Sequence, residues 1–242
     1  MKAVILSDVH GNLPALEAVL EAAEQEGAEE LWCLGDLVGY NAEPEACTGA
    51  LIEVSDICLA GNHDLVVNGT VDISVFAHDA AVAARWAKET LSAAALEQLR
   101  ALRPSGERAG VELHHASPRD PVWEYVLSEE AAEAAFGLTA APVVLVGHSH
   151  VPLAIVSEDG GIAGGHAPEG TEATLDHGRW LLNPGSVGQP RDGDPRAAWL
   201  LLDLDRGRAE FRRVLYEIAA TQEEIRAEGL PASLADRLAL GL

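Results

Sequence analysis

Several times along this chain a short apolar run ends abruptly in a cluster of Asp, His, Asn and Gly. Ala3 to Leu6 runs into Ser7-Asp8-Val9-His10-Gly11-Asn12, and Leu31 to Leu34 into Gly35-Asp36. Asp56 to Ala60 meets Gly61-Asn62-His63-Asp64, the alternating stretch from Val111 ends at His115, and Val143 to Val146 meets Gly147-His148-Ser149-His150. Runs of this length read as buried strands. In an open α/β sheet, ligands bind beyond the carboxyl ends of the strands. Five separate segments would therefore deliver Asp8, His10, Asp36, Asn62, His63, His115, His148 and His150 to one edge.

Helical patterns fall between the runs. Leu16, Val19, Leu20 and Ala23 share one helical face, so Leu13 to Glu26 reads as an amphipathic helix closed by Gly27. Pro44 to Glu53, Glu129 to Leu138 and Glu217 to Leu240 also read as helical, and Asp72 to Leu102 as two helices stopped by Pro104. This alternation predicts a largely parallel α/β unit over the first ~150 residues. From Leu153 to Val214 short alternating runs with Gly-rich breaks predict antiparallel strands, expected as a second sheet packed on the first. No linker or repeat interrupts residues 1–242, which are read as one domain.

Composition narrows the function classes. Sixteen Lys and Arg stand against 39 Asp and Glu, a net charge of −23 over 242 residues. That argues against a nucleic-acid-coating protein or a membrane-surface binder, both of which need clustered basic residues. Any anionic substrate would need positive charge supplied locally. No apolar run approaches the ~18–20 residues that span a bilayer. Met1 to Ser7 is too short for a signal-peptide core, and Cys33, Cys47 and Cys58 are isolated. A cytoplasmic setting is the expectation; the oligomeric state is not legible.

Oxygen and imidazole donors without thiolate suit divalent ions such as Mn²⁺, Fe²⁺ or Zn²⁺, and seven of them exceed what one tetrahedral zinc uses. Two metals sharing a carboxylate would use them well. Asp8 and His10 are expected on one side of an extended backbone, as are His148 and His150. Gly11, Gly35, Gly61 and Gly147 are expected to turn the chain sharply beside them.

The motifs Asp-x-His-Gly-Asn, Gly-Asp, Gly-Asn-His-Asp, His and Gly-His-x-His, in this order, resemble those of the calcineurin-like metallophosphoesterase superfamily. The segment Asn183 to Arg191, Asn-Pro-Gly-Ser-Val-Gly-Gln-Pro-Arg, is similar to one in small bacterial and archaeal phosphoesterases. The resemblance runs from Met1 to about Leu204. It implies a four-layer α/β/β/α sandwich of two mixed sheets flanked by helices. It also implies a phosphodiesterase or phosphatase that hydrolyses a phosphodiester or small phosphomonoester by attack of a metal-bridging hydroxide. By the resemblance, Asp8, His10 and His150 hold one metal, Asn62, His115 and His148 the other, and Asp36 bridges both. Mn²⁺, Fe²⁺ and Zn²⁺ stay open as the ions, with manganese expected to serve better than magnesium. His63 is implied as a non-ligand that stabilises the phosphoryl group and protonates the leaving oxygen.

His115 is preferred to His114 because it continues the inward face of Val111 and Leu113 and, as in the family, precedes a small residue. The superfamily's Gly-Asp-x-Val-Asp-Arg-Gly appears here as Gly35-Asp36-Leu37-Val38-Gly39-Tyr40, lacking the second Asp and the Arg. That argues against a phosphoprotein substrate and leaves open what orients His63; Asp64 is either its partner or a turn cap. Arg191 is a candidate substrate contact, or else pairs with Asp192 or Asp194. Asn12 is a candidate substrate contact or a helix cap. The run Arg206, Arg208, Arg212 and Arg213 reads as a solvated face. A catalytically silent scaffold of the same fold is the alternative function, though scaffolds lose the ligands or the His that this chain keeps.

Overall fold

The computed structural model describes all 242 residues. Twelve strands form two six-stranded sheets. The first contains β1 (Lys2–Leu6), β2 (Glu30–Cys33), β3 (Ile57–Cys58), β9 (Glu172–Thr174), β11 (Ala197–Asp203) and β12 (Arg208–Val214), in the order β3-β2-β1-β11-β12-β9. The second contains β4 (Ser105–Arg108), β5 (Val111–His114), β6 (Val143–Leu145), β7 (Leu153–Glu158), β8 (Gly161–His166) and β10 (Arg179–Asn183), in the order β4-β5-β6-β10-β7-β8.

The strands alternate sides with a period of two, and both sides are buried. In β1, Ala3 and Ile5 face the second sheet, joining Trp32, Leu113, Val143, Leu145, Leu200 and Phe211 in the inter-sheet core. Val4 and Leu6 face outward, onto helices. Those helices are α1 (Leu13–Gln25), α2 (Pro44–Val54), α3 (Asn62–Val67), α4 (His78–Thr90) and α5 (Ala93–Ala101), which bury Leu16, Leu51, Val67, Ala87 and Leu99 against the first sheet. On the far side α6 (Glu129–Leu138) covers Val144, Leu153 and Leu181. The result is the expected α/β/β/α sandwich. At the carboxyl end, α7 (Ile218–Ala227) and α8 (Ala232–Asp236) pack Ile225 and Leu234 against Ala83 of α4. No helix is long and apolar enough to cross a membrane.

The later strands do not form a second sheet of their own. β11, β12 and β9 extend the first sheet, while β4, β5 and β6 from the earlier half supply one side of the second. Leu200 and Leu202 of β11 match Ile5 and Ala3 of β1 in register, so strands distant in sequence share one apolar face. Three elements differ from the pattern read in sequence, the first being Glu217 to Leu240, which breaks into α7 and α8. The polar tetrad after β3 opens a helix at once, and Ser105 to Arg108 pairs as a hairpin with β5.

β1, β2 and β3 run parallel, as do β5, β6 and β10. The carboxyl ends of six strands thus carry the residues of interest to one edge of the sandwich.

Candidate metal centre

The loops after β1 and β2 are joined by backbone bonds beyond the sheet: Asp8 N–H donates to Gly35 O (3.0 Å), His10 N–H to Asp36 O (2.8 Å) and Gly11 N–H to Leu37 O (2.8 Å). Asp8, His10, Asp36, His148 and His150 all have φ between 52° and 63°, the left-handed region that L-residues seldom occupy. Asp8 and His10, and likewise His148 and His150, therefore approach the site from left-handed backbone and not from the extended backbone expected. Gly11 (φ 65°) and Gly35 (φ 103°) do turn the chain. Gly61 and Gly147 have no positive φ; they are glycines for want of space. A Cβ on Gly61 would lie 2.0 Å from Asp36 Oδ1, and one on Gly147 2.1 Å from Ser7 Oγ.

Two buried groups result: Asp8, His10, Asp36 and His150, and Asp36, His115 and His148, with Asp36 common to both. One oxygen of Asp36 is fixed, because Oδ1 accepts the N–H of His63 in the first turn of α3 (2.8 Å). Oδ2 points between the groups, 3.5 Å from His10 Nε2 and 3.6 Å from His115 Nε2. Asp8 is divided similarly. Its Oδ2 accepts the His148 N–H (3.1 Å), and its buried Oδ1 has no hydrogen-bond partner, 3.4 Å from His150 Nε2.

The imidazole tautomers follow from their carbonyl partners. His10 Nδ1–H donates to Val38 O (3.0 Å), His150 Nδ1–H to Gln189 O (2.6 Å), His115 Nδ1–H to Leu34 O (2.9 Å) and His148 Nε2–H to Trp123 O (3.2 Å). A carbonyl only accepts, so each opposite nitrogen carries a bare lone pair. His10 Nε2 and His150 Nε2 then face one another at 3.1 Å, lone pair to lone pair. His115 Nε2 faces Asn62 Oδ1 at 3.1 Å, again acceptor to acceptor. Burial drives His10, His115 and His150 well below the usual histidine range and His148 to about 4, so a shared proton does not relieve the opposition. Burial lifts the Asp8 carboxyl to about 7 and Asp36 well above its ordinary value, the latter aided by the charges of Asp64 and Asp8. Neutral imidazoles and buried carboxylates converging on the same points are a donor set matched to divalent cations. The carbonyl bonds behind the rings are those that orient metal-binding histidines.

His63 differs. Its ring is buried within 4.7 Å of the His10 ring and 4.4 Å of those of Tyr40 and Phe76, yet neither nitrogen is tied to a carbonyl, and Nδ1 has no partner. It belongs to neither group. Asp64 is not what orients it. Asp64 Oδ2 accepts the N–H of Asp36 and Gly61 (both 2.8 Å), and Oδ1 those of Leu37 (2.9 Å) and Val38 (3.2 Å). Burial pushes the Asp64 carboxyl up to about 7, against four N–H bonds that favour the ionised form. What positions His63 is packing between Tyr40 and Phe76. Gly39 leaves the room for it, since a Cβ there would lie 2.3 Å from His63 Nδ1.

Of the other residues singled out in sequence, His114 lies outside both groups, bonded to Ser105 Oγ (2.9 Å). Asn12 is a helix cap and is removed from the substrate candidates. Its fully buried side chain accepts from Ala15 N–H (3.2 Å) and donates to Gly188 O (2.9 Å). Arg191 pairs with neither Asp192 nor Asp194, which are taken by Arg213 and Arg196. It donates to Gln189 Oε1 (3.0 Å) and Tyr40 Oη (3.4 Å) and has no carboxylate within ion-pair distance. Arg213 is no part of a solvated face, being buried with Asp192.

Bracing residues went unread in the sequence. Asn183 Nδ2 donates to Gly147 O (2.8 Å) and Ser149 Oγ (3.0 Å), Ser186 Oγ to Asp8 O (2.7 Å), and Asn41 Nδ2 to His10 O (2.9 Å). The Asn183 to Arg191 segment is therefore a clamp on the left-handed residues.

The model of the calcineurin-like phosphoesterase superfamily domain matches residues 1–207. The solved structure of a metallophosphoesterase from Sphaerobacter thermophilus is 40% identical, covering 100% of this chain and 99% of that one, with a TM-score of 0.92. An uncharacterized protein of Methanocaldococcus jannaschii is 34% identical, covering 98% and 97% of the two chains. Phosphodiesterase YfcE of Escherichia coli is 29% identical, covering 85% and 89%.

Asp64→Ala would leave four buried N–H groups without an acceptor, a loss of at least about 3 kcal/mol in urea-unfolding stability. Asp64→Asn should rescue little, because its NH₂ would face N–H donors. Wild-type stability in the Asn variant would show that the loop does not depend on the ionised carboxylate.

Proposed function

The chain belongs to the calcineurin-like phosphoesterase superfamily, and from that premise we propose that it is a di-metal-dependent phosphoesterase hydrolysing a phosphodiester or a small phosphomonoester. The observation that carries this reading is the opposed lone pairs around a shared Asp36. Asp8, His10 and His150 would hold one divalent ion, Asn62, His115 and His148 the other, and Asp36 both. Mn²⁺, Fe²⁺ and Zn²⁺ suit these donors. Such a pair supplies the Lewis acidity that makes water nucleophilic at neutral pH and offsets charge on the phosphoryl oxygens.

The chain's own residues do the rest. Arg191, with no carboxylate partner, offers a planar guanidinium to a phosphoryl oxygen. That matters in a chain of net charge −23, which cannot draw an anion by its long-range field. His63 has a ring free of structural hydrogen bonds beside His10, so it can donate to an oxygen of the ester. Burial and the nearby Arg191 charge keep it neutral in the free protein; an entering phosphate anion shifts the balance towards the proton-bearing form.

Removing metal by chelation should abolish hydrolysis across a panel of mono-, di- and cyclic phosphoesters. Mn²⁺ should restore it better than Mg²⁺, because imidazole donors disfavour Mg²⁺. Full turnover by thoroughly chelated protein would sink the assignment.

His63→Ala should retain its metal while losing activity unevenly. General acid catalysis contributes about 10²–10⁴ in rate and matters most for a poor leaving group. The fall in kcat/KM should be much larger for an alkyl ester than for a nitrophenyl ester. Equal losses on both would make His63 an electrostatic stabiliser only, and loss of metal would make it a ligand.

A further inference from the structure

Aromatic residues are only 5% of this chain, yet Tyr40, Phe76, Trp123 and Tyr125 gather at the site. Tyr40 and Phe76 enclose His63. Trp123 and Tyr125 stand at the mouth, where they remain 37% and 47% exposed. Both come from the segment between β5 and α6. The Tyr125 ring lies flat on His148, at 4.2 Å and an interplanar angle of 7°. One face of Tyr125 is thus covered by an imidazole of the candidate metal centre, while the residue stays 47% exposed. The Trp123 carbonyl accepts from His148 Nε2–H, and its ring meets Phe76 edge-on at 6.2 Å.

The segment carrying these rings is held by its own polar bonds. Asp120 Oδ1 accepts the N–H of Val122 and of Trp123 (both 3.1 Å). Glu124, between the two aromatics, is bonded to Ser117 Oγ and Arg119. Neither ring is needed to close a core, and both are presented on a segment already ordered, which lowers the entropy lost on binding. The protein's acidity gives the non-reacting part of a phosphoester no long-range attraction. Its affinity must come from short-range contact, and at this mouth the contact surface offered is aromatic.

We propose that the segment 116–127 reads a planar ring and that the substrates of this site are nucleoside phosphoesters, the base stacking on the exposed rings of Tyr125 and Trp123. This rests on the phosphoesterase reading and names its substrate class. Stacking tolerates every base, so the preference is for a nucleoside over a sugar phosphate rather than for one base.

The test is calorimetric titration of the metal-loaded protein with adenosine 5′-monophosphate and with ribose 5-phosphate, which share sugar and phosphate and differ by the base. The nucleotide should bind about 5- to 150-fold more tightly, the range that one stacked base provides. Tyr125→Ala and Trp123→Ala should each shrink that ratio while leaving ribose 5-phosphate affinity and metal content unchanged. Tyr125→Phe should keep it. Equal binding of the two ligands, binding of neither, or a ratio indifferent to both alanine variants would overturn the proposal. A base-dependent ratio in a protein that hydrolyses no phosphoester would leave the stacking site standing and remove the phosphoesterase reading alone.

Discussion

Everything at the open end of this sandwich is arranged around an electrostatic opposition. Two imidazole nitrogens face one another at 3.1 Å with lone pairs directed inward, a third faces an amide oxygen at the same distance, and Asp36 and Asp8 point carboxylate oxygens into the same space. In a buried, low-dielectric setting such convergence is strongly unfavourable unless positive charge lies between the donors. The imidazoles cannot supply it, because burial pushes their pKa values down. The opposition is therefore built in by the fold and compensated from outside it, which is why a cation belongs there.

Holding that arrangement takes structure well beyond the donors. Five of them sit in left-handed backbone, each at about 1–3 kcal/mol when non-glycine residues are forced there. The compensation comes from buried hydrogen bonds: Asp64 gathering four N–H groups, Asn183 and Ser186 clamping Gly147 and Asp8, and Asn41 clamping His10. Strain and brace are separated in sequence by as many as 178 residues, as between Asp8 and Ser186. The two sheets must therefore be docked before the site exists.

That separation explains what was and was not legible in the sequence. The buried strands of the first half, the major helices and the identity of the donors stand out because periodicity and terminal polar clusters are local signals. Sheet membership was not legible, since β11 pairs with β1 across nearly the whole chain and antiparallel runs look alike in either sheet. The direction of Asp8 and His10 is not legible because an Asp-x-His spacing reads the same for extended and left-handed backbone. Asn12 was ambiguous because a cap and a substrate contact want the same side chain; only its distance from Gly188 decides. Asp64 follows His63 in sequence yet serves the preceding loop, an allocation visible only once Asp36 and Gly61 are seen to touch.

Asn12, Asp64 and Asn183 brace the loops with side chains whose polar atoms are bonded within the fold. Asp8 Oδ1 and His63 Nδ1 are buried without partners, and Arg191 has no carboxylate within ion-pair distance, which suits all three to the roles proposed for them. The exposed faces of Trp123 and Tyr125 belong to the same category in apolar terms, since their segment is ordered by Asp120 and Glu124 and gains nothing from their rings. Unsatisfied groups of complementary kinds, acceptors for cations, a guanidinium for an anion and open ring faces for a planar group, lie together at one edge. A folded chain loses stability by keeping each of them, so their convergence at the ends of parallel strands is what a bound ligand must answer.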